Sequence, residues 1–293
     1  IKPNVAVFVK NDIWVNYLVE LRKKGIPIYS ISSKFNKSQF YFKIYGKWFL
    51  NKLKQIDYFF VQDDASKELL NYNNINNVTV TGDTRIDRVK EIAKEDKQFN
   101  SIEMFINNDI CFIAGSSWET DYTIFLKSIV ERTNLKTIIA PHNIVDSEIR
   151  NLEKMTQSLS VRYSRIDRDL DPSKKILIID SVGSLKHLYK FADIAYVGGG
   201  MGNLGLHNIL EAAVFGIPII IGKNFKGFSE AEQLVKLGGV KSIDSQVEFE
   251  KIFSNLISNK TTKEAMGKIN KEYIYSNSGG SEKIIKALKK SLV

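Results

Sequence analysis

Residues 196–211 combine five glycines with a histidine, an asparagine and a glutamate. A β-rich run, 194–197, ends in three consecutive glycines, and the pattern predicts a helix over 207–215. Glycines let the backbone approach an oxyanion closely and direct N–H groups at it, and a helix N-terminus adds further donors. We therefore expect Gly199 and Gly200 to lie beside a phosphate. The alternative is an ordinary glycine-rich turn followed by a helix cap.

Three polar side chains follow this loop at a spacing that suits a nucleotide. His207 and Asn208 would lie on the first turn of the predicted helix and donate to phosphate. Glu211 comes four residues after His207, one turn later and on the same face. A carboxylate there can accept both hydroxyls of a ribose. Phosphate donors followed by a ribose acceptor predict a site for a sugar nucleotide.

Other candidate ligands follow strand-like runs. Ser116 and Ser117 follow the run 110–114 and would bind a phosphoryl or carboxylate group, or cap the next helix. His142 ends another strand and is either a ligand or a structural or exposed histidine. Asp12 follows the first strand and either caps a helix or acts on an acceptor hydroxyl.

A third strand-like run, 176–179, is followed by Asp180, Gly183 and Ser184. Gly183 and the N–H groups after it are candidates to contact a base edge or a ribose. The alternative is an ordinary turn in which Asp180 or Ser181 caps the next helix.

Residues 34–54 contain six lysines, no acidic residue and seven aromatic residues. The pattern predicts a long helix over 38–54. Basic and aromatic side chains on one helix suit an anionic membrane surface, and they suit RNA as well. The alternative is a helix with an aromatic core face and a lysine solvent face.

Composition restricts the class of protein. The chain has 293 residues and a formal net charge of +9, which suits an anionic partner. Its one cysteine, Cys111, excludes a disulfide framework, and the three histidines lack metal-site spacing, so we expect no metal and no cofactor. No apolar run is long enough to span a bilayer.

Short β-rich runs alternate with helical stretches along the whole chain, which predicts an α/β protein with mostly parallel sheets. A polar region at 83–100 marks a domain boundary. We expect two Rossmann-like domains, 1–90 and 91–293, with the last helix crossing back to the first domain and with ligands at the carboxyl ends of the strands, in a cleft between the domains.

The chain resembles the Kdo (3-deoxy-D-manno-octulosonate) transferases of lipid A assembly. The segments that carry the resemblance are 10–16, 82–87, 116–118, 140–142, 180–189 and 198–211. The last of these is similar to the family's glycine-rich G-G-H-N-x-x-E pattern, with Leu206 in place of one glycine. Lys10 and Asp12 stand where the family has glutamates, and Ala140-Pro141-His142 lacks an arginine of the family's motif.

The resemblance implies a GT-B fold, with an incomplete N-terminal domain, and an inverting, metal-independent glycosyltransferase. The donor would be CMP-Kdo, and the acceptor a lipid A precursor, lipid IVA, at the cytoplasmic face of the bacterial inner membrane. Residues 34–54 would contact that anionic membrane, and nucleic acid is not an expected partner. The chain begins at Ile1, directly before a strand. We therefore expect it to lack an upstream membrane anchor and a Gly-Glu motif that carries the general base, which leaves Asp12 as the catalytic candidate. Another GT-B enzyme using a UDP- or GDP-sugar, or a nucleotide-binding fragment without activity, remains the alternative.

Overall fold

A computed structural model describes residues 3–171 and 173–291. The chain divides into two compact units, the first comprising Ile1–Arg88 with Asn277–Val293 and the second Val89–Ser276. The strands are β1 (Ala6–Val9), β2 (Ile28–Ser33), β3 (Tyr58–Val61), β4 (Val78–Val80), β5 (Ile110–Ser117), β6 (Leu135–Pro141), β7 (Ser160–Arg162), β8 (Ile176–Ile178), β9 (Ile194–Val197), β10 (Ile219–Gly222) and β11 (Val240–Ile243).

Helices follow most of these strands, as expected for parallel sheets. They are α1 (Val15–Lys23), α2 (Lys47–Leu53), α3 (Asp64–Tyr72), α4 (Thr84–Lys94), α5 (Asn100–Ile106), α6 (Glu119–Val130), α7 (Asp146–Thr156), α8 (Ile166–Asp169), α9 (Leu185–Leu188), α10 (Leu210–Ala213), α11 (Ser229–Leu237), α12 (Gln246–Ser258), α13 (Lys260–Ser276) and α14 (Gly280–Ser291). All described strand pairs are parallel, which confirms the predicted α/β class. None of the helices within the described ranges is long and apolar enough to cross a membrane.

The first unit contains a four-stranded sheet in the order β1-β2-β3-β4. The apolar run 5–9 predicts a buried strand, and for β1 this prediction is wrong. This strand lies at the sheet edge, where Val7 is 40% and Val9 52% exposed. The apolar run correctly predicts a strand. It does not distinguish an edge strand, in which alternate side chains are exposed, from a central one.

The predicted continuous helix over 38–54 was also wrong. Short 3-10 turns at Phe40–Phe42 and Ile44–Gly46 precede α2. An added Cβ on Gly46 would lie 1.9 Å from the carbonyl oxygen of Phe40, so the chain folds tightly back on itself here. This turn lets the buried rings of Tyr41 and Phe49 stack at 5.4 Å between centroids. Tertiary packing of aromatic rings therefore overrides the helical pattern.

The second unit contains a seven-stranded sheet in the order β11-β10-β9-β5-β6-β8-β7. Strands β8, β9 and β10 are apolar throughout and fully buried, as is typical of parallel strands covered by helices on both faces. Phe112 of β5 packs edge-on against Phe125 of α6 and Phe253 of α12, with centroids 5.7 and 4.9 Å away. These contacts hold the two helices against the central strand.

The last helix, α14, belongs to the first unit. The Asp87 carboxylate accepts hydrogen bonds from the backbone N–H groups of Gly279 and Ser281, each 2.6 Å long. Ile284 of α14 is buried against Tyr29 and Phe60. The chain thus returns to its first sheet at its end.

Candidate functional site

The order of the second sheet places a crevice next to β5. The chain runs from β5 to β6 and β8 on one side, and then continues to β9, which pairs with the other side of β5. The loops after β5 and β9 therefore leave the sheet in diverging directions. Gly115 and Val197 are register partners at the carboxyl ends of these strands. Such a switch point is where open α/β sheets bind ligands.

The buried carboxylate of Asp121 joins these two loops. One oxygen accepts hydrogen bonds from the backbone N–H of Trp118, at 2.8 Å, and of Gly199, at 3.3 Å. The other oxygen accepts from the hydroxyl of Tyr196, at 2.6 Å. Burial raises the pKa of Asp121, against the lowering effect of these donors. The sequence reasoning missed this residue, although an acidic side chain three residues after the start of a turn is the spacing of a capping box.

The glycines after β9 are required by close backbone approach. An added Cβ on Gly198 would lie 2.4 Å from the carbonyl oxygen of Ser116, and one on Gly199 2.2 Å from that of Gly205. Gly199 also has a φ of +90°. An added Cβ on Gly200 would lie 2.9 Å from the backbone nitrogen of Gly222, at the end of β10. The loop therefore folds onto itself and onto its neighbours.

Three rings form a stack at this edge of the sheet. The centroid of His142 lies 4.3 Å from that of Trp118 and 4.3 Å from that of His207. The indole Nε1 of Trp118 donates to Nε2 of His207 at 3.1 Å. Neutral His207 therefore carries its proton on Nδ1. Burial, followed by the nearby His142, lowers the pKa of His207, which favours this neutral form.

His207 and Asn208 do not lie on a helical first turn as predicted, because α10 begins only at Leu210. The backbone N–H of His207 donates to the carbonyl of Gly198 at 3.1 Å, which keeps this segment against the end of β9. The Asn208 side chain accepts from the N–H of Leu210 and donates to Glu211, at 3.3 and 3.2 Å. Asn208 therefore bonds to Leu210 and to Glu211, and it orients the Glu211 carboxylate.

The two predicted serines differ in their exposure. Ser117 is buried, and its carbonyl accepts from the N–H of His142 at 2.9 Å. Ser116 is half-buried and has a φ of +50°, which is unusual for a residue other than glycine. The predicted alternative, a serine cap for the next helix, was wrong because the N-cap position of α6 is Trp118. Strained backbone of this kind is common where a loop is shaped for a ligand.

The third predicted turn follows β8, further from the switch point. Both oxygens of Asp180 are engaged by Ser164, which donates from its backbone N–H at 2.9 Å and its hydroxyl at 2.5 Å. Asp180 thus fixes a neighbouring loop. Gly183 is exposed and has a φ of +87°. The N-cap residue of α9 is Ser184, and its side chain makes no capping hydrogen bond. The alternative of Asp180 or Ser181 as the cap was therefore wrong.

Asp12 lies in the first unit, exposed, between β1 and α1. The N-cap position of α1 is Trp14, so the capping role considered for Asp12 was wrong. Its catalytic role stays a prediction. Cys111 is buried and free, and burial raises the pKa of its thiol. Among residues 3–171 and 173–291 there is no group of three or more metal-ligating side chains.

Comparison with known proteins identifies relatives of the whole chain. Residues 1–88 match a family described as 3-deoxy-D-manno-octulosonic-acid transferase (kdotransferase). The 3-deoxy-D-manno-octulosonic acid transferase of Chlamydophila psittaci is 27% identical over 253 residues, which cover 83% of this chain and 58% of that protein. The chain therefore spans little more than half the length of this relative.

Two solved structures show a similar fold. The C-terminal CMP-Kdo-binding domain of WaaA from Acinetobacter baumannii superposes with a TM-score of 0.53 at 16% identity, covering 65% of this chain and 97% of that domain. UDP-GlcNAc 2-epimerase from Neisseria meningitidis, bound to UDP-GlcNAc, gives a TM-score of 0.70 at 18% identity, covering 99% of this chain and 76% of that one. The whole chain thus has a GT-B-type α/β fold.

Proposed function

We propose that this chain, which is similar in sequence to Kdo transferases, transfers Kdo from CMP-Kdo to a lipid A precursor, lipid IVA, in lipopolysaccharide biosynthesis. The observation that carries the proposal is the pair of loops after β5 and β9, joined by Asp121 at the switch point of the second sheet. A donor nucleotide is expected at this point in an open α/β sheet.

In this reaction the acceptor hydroxyl oxygen forms a bond to the anomeric carbon of Kdo. The bond from that carbon to the phosphate oxygen of CMP breaks, CMP leaves with the electron pair, and a base takes the hydroxyl proton. We assign the leaving phosphate to His207, Ser116 and the backbone N–H groups of the glycine-rich loop that follow Gly199, since the N–H groups of Gly198 and Gly199 donate to Gly115 and Asp121. Because these donors are fixed before the reaction, they can stabilise the developing charge without a metal ion.

The remaining donor contacts follow from the position of each group. We assign the ribose to Glu211, which Asn208 orients through a hydrogen bond of 3.2 Å. Asp12 is the candidate in this chain for the group that takes the acceptor proton, and the reaction on this proposal inverts the anomeric centre. Ser117 and Tyr189 are buried, and an added Cβ on Gly115 of β5 would lie 2.0 Å from the hydroxyl oxygen of Tyr189, so this ring packs against the carboxyl end of β5.

Calorimetric titration tests the donor site. We expect the chain to bind CMP more tightly than UDP, and we expect Glu211→Ala to weaken CMP binding by about tenfold, because hydrogen bonds to a charged group are lost. Glu264→Ala removes an exposed carboxylate of α13 in the same unit and is the matched control. Equal CMP affinity of Glu211→Ala and the unsubstituted chain would refute the ribose assignment. Tighter binding of UDP would favour an enzyme using a UDP-sugar. The transfer itself is measured as the mass gained by lipid IVA in the presence of CMP-Kdo.

We also propose that the first unit contacts the cytoplasmic face of an anionic inner membrane. Ile44, Tyr45 and Trp48 are 86%, 74% and 58% exposed, and Lys43 and Lys47 are adjacent to Ile44 and Trp48 in the sequence. Exposed apolar rings with neighbouring lysines suit the interface of an anionic bilayer. Flotation with phosphatidylglycerol vesicles should retain the chain at low salt and release Trp48→Ser. Equal retention by neutral phosphatidylcholine vesicles would contradict an electrostatic contact.

A further inference from the structure

A polar pocket lies beside the glycine-rich loop, on the side that faces the segment after β10. Its volume is about 540 Å³, and it lies between that loop and the segment after β10; its lining residues are Gly202, Asn203, Gly205, Lys223, Asn224, Lys226 and Phe228. The volume is in the range of small-molecule sites. None of these lining residues is acidic.

The two lysines of the pocket are available to bind an anion. Lys223 and Lys226 are exposed, and neither ammonium group has a carboxylate partner in the part of the chain that the structure describes. The nearest acidic residues in the sequence, on α11, are directed elsewhere. Glu232 accepts from the backbone N–H of Gly227 at 2.8 Å, and buried Glu230 accepts from the hydroxyl of Ser229 at 3.3 Å. The pocket therefore has a local excess of positive charge.

The pocket is fixed to the loop proposed to hold the donor phosphate. Asn224 donates from its backbone N–H to the carbonyl of Gly200 at 2.8 Å and from its side chain to that of Gly202 at 2.9 Å. On the far wall, an added Cβ on Gly205 would lie 3.4 Å from the ring of Phe228. A sugar attached to a phosphate at the glycine-rich loop would therefore lie next to this pocket. The pocket offers it the apolar ring of Phe228 and the ammonium groups of Lys223 and Lys226.

We infer that this pocket receives the acidic sugar of the donor and that Lys223 and Lys226 bind its carboxylate. The inference rests on the proposed function. In CMP-Kdo the carboxylate and the phosphate are attached to the same anomeric carbon, so a cation that binds the carboxylate must lie next to the phosphate site. Lysine pairs with a carboxylate as a point charge, and a neutral sugar would leave both ammonium groups without a ligand. The two lysines are thus specificity determinants for an acidic sugar.

The test is calorimetric titration of CMP and CMP-Kdo into the unsubstituted chain, Lys223→Met, Lys226→Met and the control Lys251→Met. Lys251 is an exposed lysine of α12 outside the pocket. We expect each pocket variant to bind CMP-Kdo about tenfold more weakly, while its affinity for CMP changes by less than about twofold. Lys251→Met should leave both affinities unchanged, and Lys223→Arg should retain most of the CMP-Kdo affinity because the charge is kept.

Two results would overturn the inference alone. Equal CMP-Kdo affinity in all variants would show that the lysines do not contact the sugar. Parallel loss of CMP and CMP-Kdo binding would show that they bind the phosphate and do not select the carboxylate. If the unsubstituted chain bound neither ligand, the proposed function itself would be wrong and this inference with it.

Discussion

Asp121 acts at the candidate site through the backbone of two loops. Its carboxylate accepts from the N–H of Trp118 in one loop and of Gly199 in the other, and the hydroxyl of Tyr196 occupies its second oxygen. A buried carboxylate needs such donors, because an unpaired one would be costly. The sequence pattern identifies candidate residues at strand ends. It does not identify the acidic side chain that is buried and accepts hydrogen bonds from both loops.

His207 gives the site a dependence on pH. Its folded pKa lies below the ordinary value of 6.5, because burial and His142 disfavour the charged form. The unfolded state therefore binds a proton more readily than the folded state, and stability falls as pH drops from about 6.5 through the folded pKa. We expect His207→Gln, which keeps an acceptor for the Trp118 indole, to have a shallower loss of stability across this range.

Urea unfolding at a series of pH values between about 5 and 8 measures this difference. His187 also has a pKa lowered by burial, so some pH dependence must remain in the variant. Comparison of His207→Gln with the unsubstituted chain isolates the part that belongs to His207. Identical slopes for the two proteins would contradict the assignment.

At the scale of elements, the strands of the second sheet were predictable because their signal is local. The run 194–197 coincides with β9, and 110–114 lies within β5, since short uninterrupted apolar runs are typical of buried parallel strands. The helix predicted over 38–54 failed because the close contact of Gly46 with Phe40 joins residues that no periodicity relates. Likewise, α10 starts late because His207 is bonded back to Gly198.

Gly199 and Gly183 separate two reasons for a glycine: close approach of the backbone, and a positive φ. Gly199 and Gly183 have similar φ values, +90° and +87°. An added Cβ on Gly199 would lie 2.2 Å from the carbonyl oxygen of Gly205, whereas one on Gly183 would meet nothing within 4 Å. Gly183→Ala should cost about 1–2 kcal/mol from backbone strain alone. Gly199→Ala should cost about 1–3 kcal/mol more, because the loop must also move.

The measurement is the free energy of unfolding in urea, with CMP affinity determined in parallel. We expect Gly199→Ala to weaken CMP binding and Gly183→Ala to change it less. Equal losses of stability in the two variants would mean that strain in φ, and not the closeness of the backbone, accounts for the glycine at 199.

At the scale of the whole molecule, the chain forms two units, and the first is completed by its last helix. The Asp87 carboxylate accepts from Gly279 and Ser281 at the start of α14, and Ile284 is 3% exposed in a cluster with Tyr29 and Phe60. We expected the last helix to cross back to the first domain. The Asp87 carboxylate binds residues almost two hundred positions away in the sequence. No local sequence pattern predicts a contact of that separation.

Adjacent isoleucines of α14 provide a matched test of this arrangement. Ile284 is buried, whereas Ile285 is 53% exposed. Ile284→Ala should destabilise the first unit by about 2–4 kcal/mol, because it leaves a cavity against β2 and β3, and Ile285→Ala should have little effect. Amide hydrogen exchange locates the loss. Because cooperative units open separately, Ile284→Ala should speed exchange in β2 and β3 while β5 and β9 keep their protection. Equal acceleration in both sheets would contradict separate unfolding of the two units, and protection unchanged in β2 and β3 would contradict the role of α14 in the first.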